Sequence, residues 1–517
     1  MERYLRLISG SILVIILSLL LRVLLNHLWR PYVITKWYRE QGIHGPKYKF
    51  IYGCYEEIMK LTSSAKEIKM DINSHDFTPR VFPHFLKWMS AYGKTFLFWY
   101  GPIPQIFISD MELVKQVLSD KAGFFLKADT LPAFEALLGK GLVLTNGLDW
   151  ARHRRILSPA FTTDKLKRMT RKMTECTRTM IEGWENRIEQ DQKRQIEIDL
   201  NDQFLELTAD VISHTAFGSS FIEGKEVFSA QKELLVLAFE SILNATYPGF
   251  DYLPTKNNIK RWRLDRQVRR TLIKIIHERM EVRDDGYGND LLGLMLETCM
   301  NGGKESNNYM SMDEIMHECK TFFFAGHETT AHLLSWTMFY LSTNEDWQAR
   351  LRDEILRECG REVPNADMLS KLKLVNMVLL EALRLYGPAV QIYRKASQDM
   401  KLGTIILLKG TAIAIPIAIL HRDKEIWGPD ADEFNPLRFE NGINKAAKHS
   451  NALLSFSFGP RACIGQTFAM LESKAVIAMI LQRFSFRISP NYVHKPDEKL
   501  TLQPMSGLQV IIEPVNI

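Results

Sequence analysis

The alternation of apolar and polar residues along the chain predicts a protein built mainly from helices. Apolar residues recur every three to four positions over long stretches, which is the spacing of one face of an α-helix. The helices predicted from this pattern are Met111–Leu118, Trp150–Leu157, Lys165–Gln190, Leu200–Ala216, Ser229–Leu243, Arg261–Val282, Ser311–Thr343, Glu345–Cys359, Lys371–Leu385 and Gln466–Leu481.

Strand patterns, in which apolar and polar residues alternate, are shorter and fewer. They lie at Thr95–Trp99, Gln105–Ser109, Gly403–Leu407 and Ala412–Pro416. Lys409-Gly410 is the expected turn of a hairpin between the last two strands, and polar runs at Arg283–Asp290 and Asn301–Asn308 predict surface loops. The predicted fold class is therefore mostly α, with small sheets (α+β).

The first apolar run, Leu7–Leu28, has the length needed to cross a bilayer. More basic residues follow it than precede it, so its C-terminal side is predicted to face the cytosol. A cleaved signal peptide is the alternative, but no small-residue cleavage site follows the run. We predict an N-terminal membrane anchor at 1–29, a linker at 30–46 with a stiff hinge at Gly42–Pro46, and one globular domain at 47–517.

Composition narrows the classes of function only slightly. The 517 residues are 46% apolar and 24% charged, which is ordinary for a globular protein. A formal charge of +6 gives no reason to expect nucleic-acid binding. The six cysteines are scattered, with no pair at the close spacing of a metal or redox motif, which favours a reducing compartment.

The segment with the clearest chemistry surrounds Cys463, where a glycine-rich loop enters a predicted helix. Free N–H groups at a helix N-terminus favour an anion, so we expect the thiol to ionise readily and the thiolate to bind a metal. Gly459 and Gly465 carry no Cβ and would let a flat cofactor approach, while Phe456 shields the sulfur and Arg461 meets an anionic group. The alternative is a small buried cysteine at a tight turn.

A second candidate lies on the long helix that begins with the capping box Ser311–Glu314. Thr329 is the one hydroxyl on a face otherwise made of Phe322, Gly326, Leu333 and Trp336, and Glu328 lies beside it. Gly326 costs about 1 kcal/mol in a helix interior, so a compensating close contact is expected. The alternative is a core helix with a tolerated glycine and a threonine bonded to its own backbone.

Two charged motifs stand in otherwise apolar surroundings. Glu381 and Arg384 are three residues apart on a leucine-rich helix, which favours a buried ion pair over a surface pair. Arg438, in the segment Phe434–Phe439, is the candidate third member. Trp150 and Arg154 lie one turn apart on one face of another predicted helix, whereas Arg152 and Arg155 are interpreted as surface charges.

Taken together, these motifs resemble the cytochrome P450 superfamily. Phe456-x-x-Gly-x-Arg-x-Cys-x-Gly465 matches its haem-thiolate signature, and Ala325–Thr330 is similar to its oxygen-activation motif. Its Glu-x-x-Arg, Phe-x-Pro-x-Arg-Phe and Trp-x-x-x-Arg motifs also occur, in the family's order. Short segments such as Gln41–Pro46 and Ala216–Ser220 resemble the sequences of the plant microsomal seventy-two clan.

The resemblance implies a cytochrome P450 fold, in which a long central helix crosses a haem b. On this basis Cys463 is the iron ligand, and the cofactor-binding residues are Trp150, Arg154, Arg394, Phe456 and Arg461. Glu328 and Thr329 are the catalytic pair that delivers protons, and Glu381, Arg384 and Arg438 form a structural triad behind the haem.

The implied function is that of a haem-thiolate monooxygenase, which inserts one oxygen atom from O2 into a lipophilic substrate. A fatty acid, a terpenoid or a plant hormone would each suit the apolar pocket candidates Phe124–Leu138, Phe322–Ala325, Pro388–Ile392 and Pro504–Leu508. Electrons would come from NADPH through a separate cytochrome P450 reductase, because Gly139-Lys-Gly141 lacks the rest of a dinucleotide fingerprint. The expected location is the endoplasmic reticulum membrane, with a single pass and a cytosolic catalytic domain.

Two other functions remain open. A haem-thiolate isomerase or dehydratase would rearrange peroxides without a reductase, but it has no need of the Glu328–Thr329 pair. A non-enzymatic haem sensor or electron carrier would have no use for the apolar pocket segments.

Overall fold

A computed structural model describes residues 2–191, 194–219, 221–244, 249–281, 286–288, 290–301 and 309–515. The helices are α1 (Glu2–Leu24), α2 (Arg30–Glu40), α3 (Tyr55–Glu67), α4 (Thr78–Val81), α5 (Pro83–Tyr92), α6 (Met111–Leu118), α7 (Pro132–Leu138), α8 (Gly147–Leu157), α9 (Thr163–Glu189), α10 (Leu200–Phe217), α11 (Phe221–Asn244), α12 (Lys256–Glu281), α13 (Leu291–Asn301), α14 (Met312–Thr343), α15 (Glu345–Cys359), α16 (Ala366–Lys371), α17 (Lys373–Tyr386), α18 (Ile417–Leu420), α19 (Lys424–Trp427) and α20 (Gln466–Leu481).

The strands are β1 (Thr95–Tyr100), β2 (Ile103–Ile108), β3 (Phe125–Leu126), β4 (Ile196–Asp199), β5 (Ile392–Ala396), β6 (Met400–Leu402), β7 (Ile405–Leu407), β8 (Ala412–Ile415), β9 (Phe484–Ile488), β10 (Pro496–Lys499), β11 (Thr501–Pro504) and β12 (Gln509–Pro514). The predicted fold class, mostly helical with small sheets, is confirmed. Helices α6, α15 and α20 have the predicted boundaries. The predicted loops at 283–290 and 301–308 fall largely outside the described residues.

Helix α14 is the centre of the core. The predicted capping box starts it: the Ser311 hydroxyl accepts a 3.3 Å bond from the Glu314 N–H, and the Glu314 carboxylate accepts a 2.8 Å bond from the Ser311 N–H. Helices α10, α17 and α20 pack against α14. Most of its side chains are buried, and the burial is interrupted at mid-length by Ala325, Gly326 and Thr329. A cavity therefore begins at that point.

The largest sheet has the strand order β1-β2-β8-β5-β3, with only the β2–β8 pair parallel. The predicted hairpin across Lys409-Gly410 is wrong, because β7 pairs with β6 in a separate sheet. Both edges of β8 are already hydrogen-bonded, one to β2 and the other to β5, which leaves no edge for β7. The remaining sheets are β4-β12-β9 and the β10–β11 hairpin.

The N-terminal apolar run is part of one long helix. Helix α1 continues through a π-helical turn at Leu25–Trp29 into α2, with helical backbone angles at both junctions. Among the described residues, one helix, Leu7–Glu40, is long and apolar enough to cross a membrane, and its most apolar stretch is not buried by the rest of the chain. Helix α2 thus occupies most of the predicted linker at 30–46.

This helix is attached firmly to the globular part. The Tyr38 side chain is fully buried, and its hydroxyl lies 2.8 Å from the Thr411 hydroxyl. The Gln41 side chain accepts from the Ile406 N–H and donates to the Ile406 carbonyl, at 2.7 and 3.2 Å.

The predicted hinge at Gly42–Pro46 is likewise packed rather than free. The Leu97 N–H donates to the His44 carbonyl at 2.9 Å, because the edge of β1 needs an acceptor there. A Cβ on Gly45 would lie 1.8 Å from the Leu97 carbonyl oxygen, so this position excludes any larger residue. His44 and Gly45 are therefore held against β1, and a hinge in this segment stays a prediction.

Candidate functional site

A cavity of about 180 Å³ lies between the middle of α14 and the loop that precedes α20. Most of its lining is apolar, including Leu142, Val143, Phe161, Ile212, Phe322 and Phe468. No Asp or Glu lines it among the described residues, whereas Lys127, Arg154 and Arg461 do. The cavity therefore combines apolar walls with a purely cationic set of charges.

Cys463 presents its side chain to this cavity. The loop is closed by the Cys463 N–H, which donates to the Phe456 carbonyl at 2.9 Å, and Phe456 lines the cavity as predicted. The next turn begins α20 at Gly465, where a Cβ would lie 4.0 Å from the Cys463 sulfur. A Cβ at Gly465 would make only an ordinary contact with the sulfur, so the predicted role of this glycine, to let a flat cofactor approach, stays a prediction.

The surroundings of the Cys463 sulfur oppose the predicted acidity of its thiol. Burial raises the pKa of the thiol above its ordinary value, and the Gly465 N–H and Arg154 only partly oppose this effect. Removal from water therefore opposes the effect of the helix N-terminus on the sulfur. A bound metal ion supplies the stronger field that deprotonates a coordinating thiol.

Gly459 has a different role from the one predicted. It has a φ of +74°, and its absent Cβ would lie 2.2 Å from the Leu118 carbonyl oxygen. Gly459 therefore permits the loop to pack against the end of α6 rather than against a cofactor.

Three basic side chains, Lys127, Arg154 and Arg461, line the cavity, and the charge of a fourth, Arg394, acts on Lys127 and Arg461. Burial, followed by the charges of Arg394 and Arg461, lowers the pKa of Lys127 to about 7. Burial lowers the pKa of Arg394 to about 10, and burial with Arg394 and Arg154 lowers that of Arg461 to about 10. Such a group is electrostatically unfavourable unless an anion joins it. Lys127 was not singled out from the sequence, where nothing distinguishes it from other lysines.

Helix α8 supplies the aromatic partner of this cluster. The Arg461 guanidinium lies over the Trp150 ring, 4.3 Å from its centroid, and donates to the Asn146 side chain at 3.0 Å. The other terminal nitrogen of Arg461 is buried and has no hydrogen-bond partner among the described residues. Arg154 donates to the Ala462 carbonyl at 3.0 Å, next to the cysteine. An anionic ligand would satisfy the remaining donors.

The interpretation of Arg152 as a surface charge is wrong. Its side chain is 20% exposed, and it donates to the Tyr309 carbonyl and to the Glu314 carboxylate. Arg152 therefore joins α8 to the start of α14. Arg155, the next basic residue of this helix after Arg154, is exposed as expected.

The middle of α14 forms the wall opposite the cysteine. The Thr329 hydroxyl donates to the Ala325 carbonyl at 2.7 Å, which is the bond to its own backbone that the alternative, core-helix interpretation expects. Gly326 also lines the cavity, but its close contact is with α10, since a Cβ there would lie 2.8 Å from two side-chain carbons of Ile212. Helix packing therefore accounts for this glycine at least as much as access to a cofactor.

Glu328 does not line the cavity. It is buried on the neighbouring side of α14, where the Thr501 hydroxyl of β11 donates to its carboxyl at 2.8 Å. Burial raises the pKa of Glu328 to about 7, while the Thr501 bond acts in the opposite direction. Glu328 is thus poised to change its ionisation near neutral pH. Thr501 belongs to a strand that the sequence did not predict.

The Glu381–Arg384 pair is fully buried, as its apolar flanks predicted. Two parallel bonds of 2.8 Å join the side chains, and Arg384 also donates to the carbonyls of residues 421, 431 and 433. The Arg438 Nε lies 3.7 Å from Glu381, but Arg438 bonds chiefly to Asp430, at 2.7 Å. The three residues lie together, with Asp430 as a fourth member.

The pocket segments predicted from the sequence are only partly brought together. Lys127 and the Phe322–Ala325 turn line the cavity. Pro388–Ile392 and Pro504–Leu508 are not among its described lining residues. The two segments lie near each other because β11, which ends at Pro504, contacts Pro388. The Leu502 N–H of this strand donates to the Pro388 carbonyl at 2.9 Å.

Comparison with known proteins agrees with this geometry. The model of the family "Cytochrome P450" matches residues 75–512. Cytochrome P450 709B1 of Arabidopsis thaliana is 48% identical, with 98% of each chain covered. Cytochrome P450 CYP72A616 of Paris polyphylla is 43% identical over 94% of each chain. Cytochrome P450 734A6 of Oryza sativa subsp. japonica is 41% identical, covering 94% of this chain and 92% of that protein.

Proposed function

Because this chain belongs to the cytochrome P450 family and is therefore a haem-thiolate monooxygenase, we propose that its substrate is lipophilic and that its electrons come from NADPH through a separate reductase. The observation that carries the proposal is the cavity, whose lining is apolar except at the basic cluster and around Cys463 and α14. A fatty acid, a terpenoid or a plant hormone such as a cytokinin or gibberellin fits such a lining.

The residues around the cavity fit a haem. We propose that Cys463 holds the iron, while Lys127, Arg154, Arg394 and Arg461 meet the two carboxylates of the porphyrin. The buried, unpartnered nitrogen of Arg461 and the lowered pKa of Lys127 support this assignment. When bound, the haem supplies activation of O2 and insertion of one oxygen atom into a C–H bond.

The proposed task of the protein in this reaction is to position substrate and deliver protons. The apolar wall at Phe322 and Ile212 excludes bulk water, so protons must pass through placed groups. Thr329 offers its hydroxyl at the cavity surface. Glu328, with a pKa of about 7, is the acid next to it in the chain and resupplies it through water on the Thr501 side of the helix.

We propose that α1 anchors the protein in the endoplasmic reticulum membrane with a single pass, leaving the catalytic domain in the cytosol. The apolar, uncovered stretch of Leu7–Glu40 and the basic residues that follow Leu21 support this orientation. The division into anchor, linker and catalytic domain at residues 29 and 46 stays a prediction.

The test is a reconstitution of full-length protein with an NADPH-dependent flavoprotein reductase and a panel of lipids in an atmosphere of isotopically labelled O2. We expect a product that carries one labelled oxygen atom and forms only with reductase and NADPH. Cys463→His is the control, and it should lose both the product and the absorption band of a thiolate-ligated, CO-bound haem. Conversion of lipid peroxides without reductase would instead support an isomerase or dehydratase.

A further inference from the structure

A second cluster of ligand-type side chains lies away from the cavity, where α9 packs against α10. Cys176 on α9 and Asp210 and His214 on α10 bring a sulfur, a carboxylate oxygen and an imidazole nitrogen within 4.8 Å of one another. Within the part of the chain that the structure describes, no other trio of His, Cys, Asp or Glu side chains meets so closely. None of the three lines the cavity.

The local geometry is set by helix spacing. Asp210 and His214 are four residues apart, so both lie on the face of α10 that meets α9. Their closest atoms, Asp210 Oδ1 and His214 Nε2, are 3.4 Å apart. Cys176 approaches the pair from the opposite helix, which makes the cluster a contact between two elements rather than a feature of one.

These distances suit a tetrahedral zinc ion. Bonds of about 2.3 Å to sulfur and about 2.0–2.2 Å to nitrogen and oxygen place ligand atoms about 3.3–3.6 Å apart. The Asp210–His214 separation already has this value, and the Cys176 sulfur has to move by about 1 Å at most. Thiolate with imidazole favours zinc over calcium or magnesium, which prefer sites made of oxygen ligands.

The three side chains differ in exposure, as expected of a metal site that opens to solvent on one side. Cys176 is buried, whereas the side chains of Asp210 and His214 are 30% and 33% exposed, so an ion and a fourth, water ligand can enter from the solvent side. Behind the sulfur lies Glu472 of α20, fully buried, with no hydrogen-bond partner for either carboxyl oxygen among the described residues. Lys172, the nearby cation, is already paired with Glu175 at 2.8 Å. A bound cation would therefore enter surroundings in which the nearby basic side chain is already paired with a carboxylate.

We propose that Cys176, Asp210 and His214 bind a zinc ion, with water as the fourth ligand. The site fastens α9 to α10. Since α9 also packs against α20, the helix that follows the Cys463 loop, zinc also secures the support of that loop. The proposal does not depend on the identity of the substrate or of the redox partner.

The test uses tag-free, full-length holoprotein that is stripped with a chelator, dialysed against a small excess of zinc and measured by elemental mass spectrometry. We expect one zinc per haem. The zinc X-ray absorption spectrum should show one sulfur at about 2.3 Å, with the remaining ligands nitrogen or oxygen at about 2.0 Å. Cys176→Ser and His214→Ala should each lower the bound zinc at least about tenfold.

Matched controls are Cys359→Ser, a buried cysteine on α15, and His277→Ala, an exposed histidine on α12. Both should keep one zinc per haem. Absence of stoichiometric zinc, a spectrum without sulfur, or full zinc binding by Cys176→Ser or His214→Ala would each overturn the proposal. Haem content is the measure of folding. If Cys176→Ser fails to take up haem, His214→Ala decides the question, because His214 is only partly buried.

Discussion

Lys127 offers the sharpest test of the proposed cofactor cluster, because the structure alone points to it. It lines the cavity, and burial with the charges of Arg394 and Arg461 lowers its pKa to about 7. Without an anion beside it, Lys127 is therefore harder to protonate than a lysine in water. A haem carboxylate restores its full charge and accepts its hydrogen bond, so Lys127→Met should weaken haem retention.

The size of the effect follows from the contact. A hydrogen bond to a charged group contributes about 1.5–3 kcal/mol. Arg154 and Arg461 remain in the variant. Part of the free energy of the Lys127 bond is used to protonate a lysine whose pKa is lowered, so the lower end of this range applies. About 1.4 kcal/mol corresponds to a tenfold change. We expect Lys127→Met to lose haem about ten times faster than the wild type.

Transfer of haem to excess apomyoglobin, followed by absorbance, measures this rate. Lys121→Met is the matched control, since Lys121 is an exposed lysine of the same segment and should leave the rate unchanged. Loss of haem from Lys127→Met at the wild-type rate, or an equal acceleration in Lys121→Met, would refute the role of Lys127.

The remaining predictions concern the proton path, the buried ion pair and the anchor. Thr329→Ala should bind haem normally but yield more hydrogen peroxide and less product per NADPH, and an unchanged ratio would contradict its role. Thr501→Val removes the hydrogen-bond donor that favours the ionised form of Glu328, so the pKa of Glu328 should rise. The midpoint of product yield plotted against pH should then move to higher pH. An unchanged midpoint would show that Glu328 does not deliver protons. Glu381→Ala leaves a buried charge unpaired and should lower the free energy of unfolding by about 3–5 kcal/mol in urea titrations, whereas an exposed pair would change it by less than about 1 kcal/mol. Deletion of Met1–Arg30 should weaken membrane association while haem content stays constant, and complete sedimentation with membranes in high salt would indicate a second apolar surface.

The elements that were predicted correctly are those whose structure depends on residues close together in the sequence. Helices α6, α15 and α20 repeat an apolar face over two turns or more, and a capping box fixes the start of α14. The missed strands β4, β5, β9 and β12 have four to six residues and pair with strands that are not their neighbours in the chain. Strand β8 was predicted, but its pairing was not, because its two neighbours come from separate segments.

The same distinction applies to the site. Cys463, Phe456 and Arg461 lie within one short segment, so their motif could be identified from the sequence. Lys127 and Thr501 become part of the site only when distant segments meet, and no local pattern marks them. The desolvation that raises the pKa of Cys463 could not be predicted for a related reason, since it depends on the whole fold, whereas the helix terminus is a local property.

The attachment of the N-terminal helix to the globular part has a geometric consequence for the proposed membrane anchor. The 34 residues of Leu7–Glu40 span about 50 Å at 1.5 Å per residue, and a bilayer core accounts for about 30 Å. About 20 Å thus projects as a spacer, with Tyr38 near its outer end holding the globule by the hydroxyl bond to Thr411. Each residue inserted into this spacer would turn the globule by about 100° around the helix axis. The face that meets the bilayer is therefore determined by the number of residues between the apolar run and Tyr38.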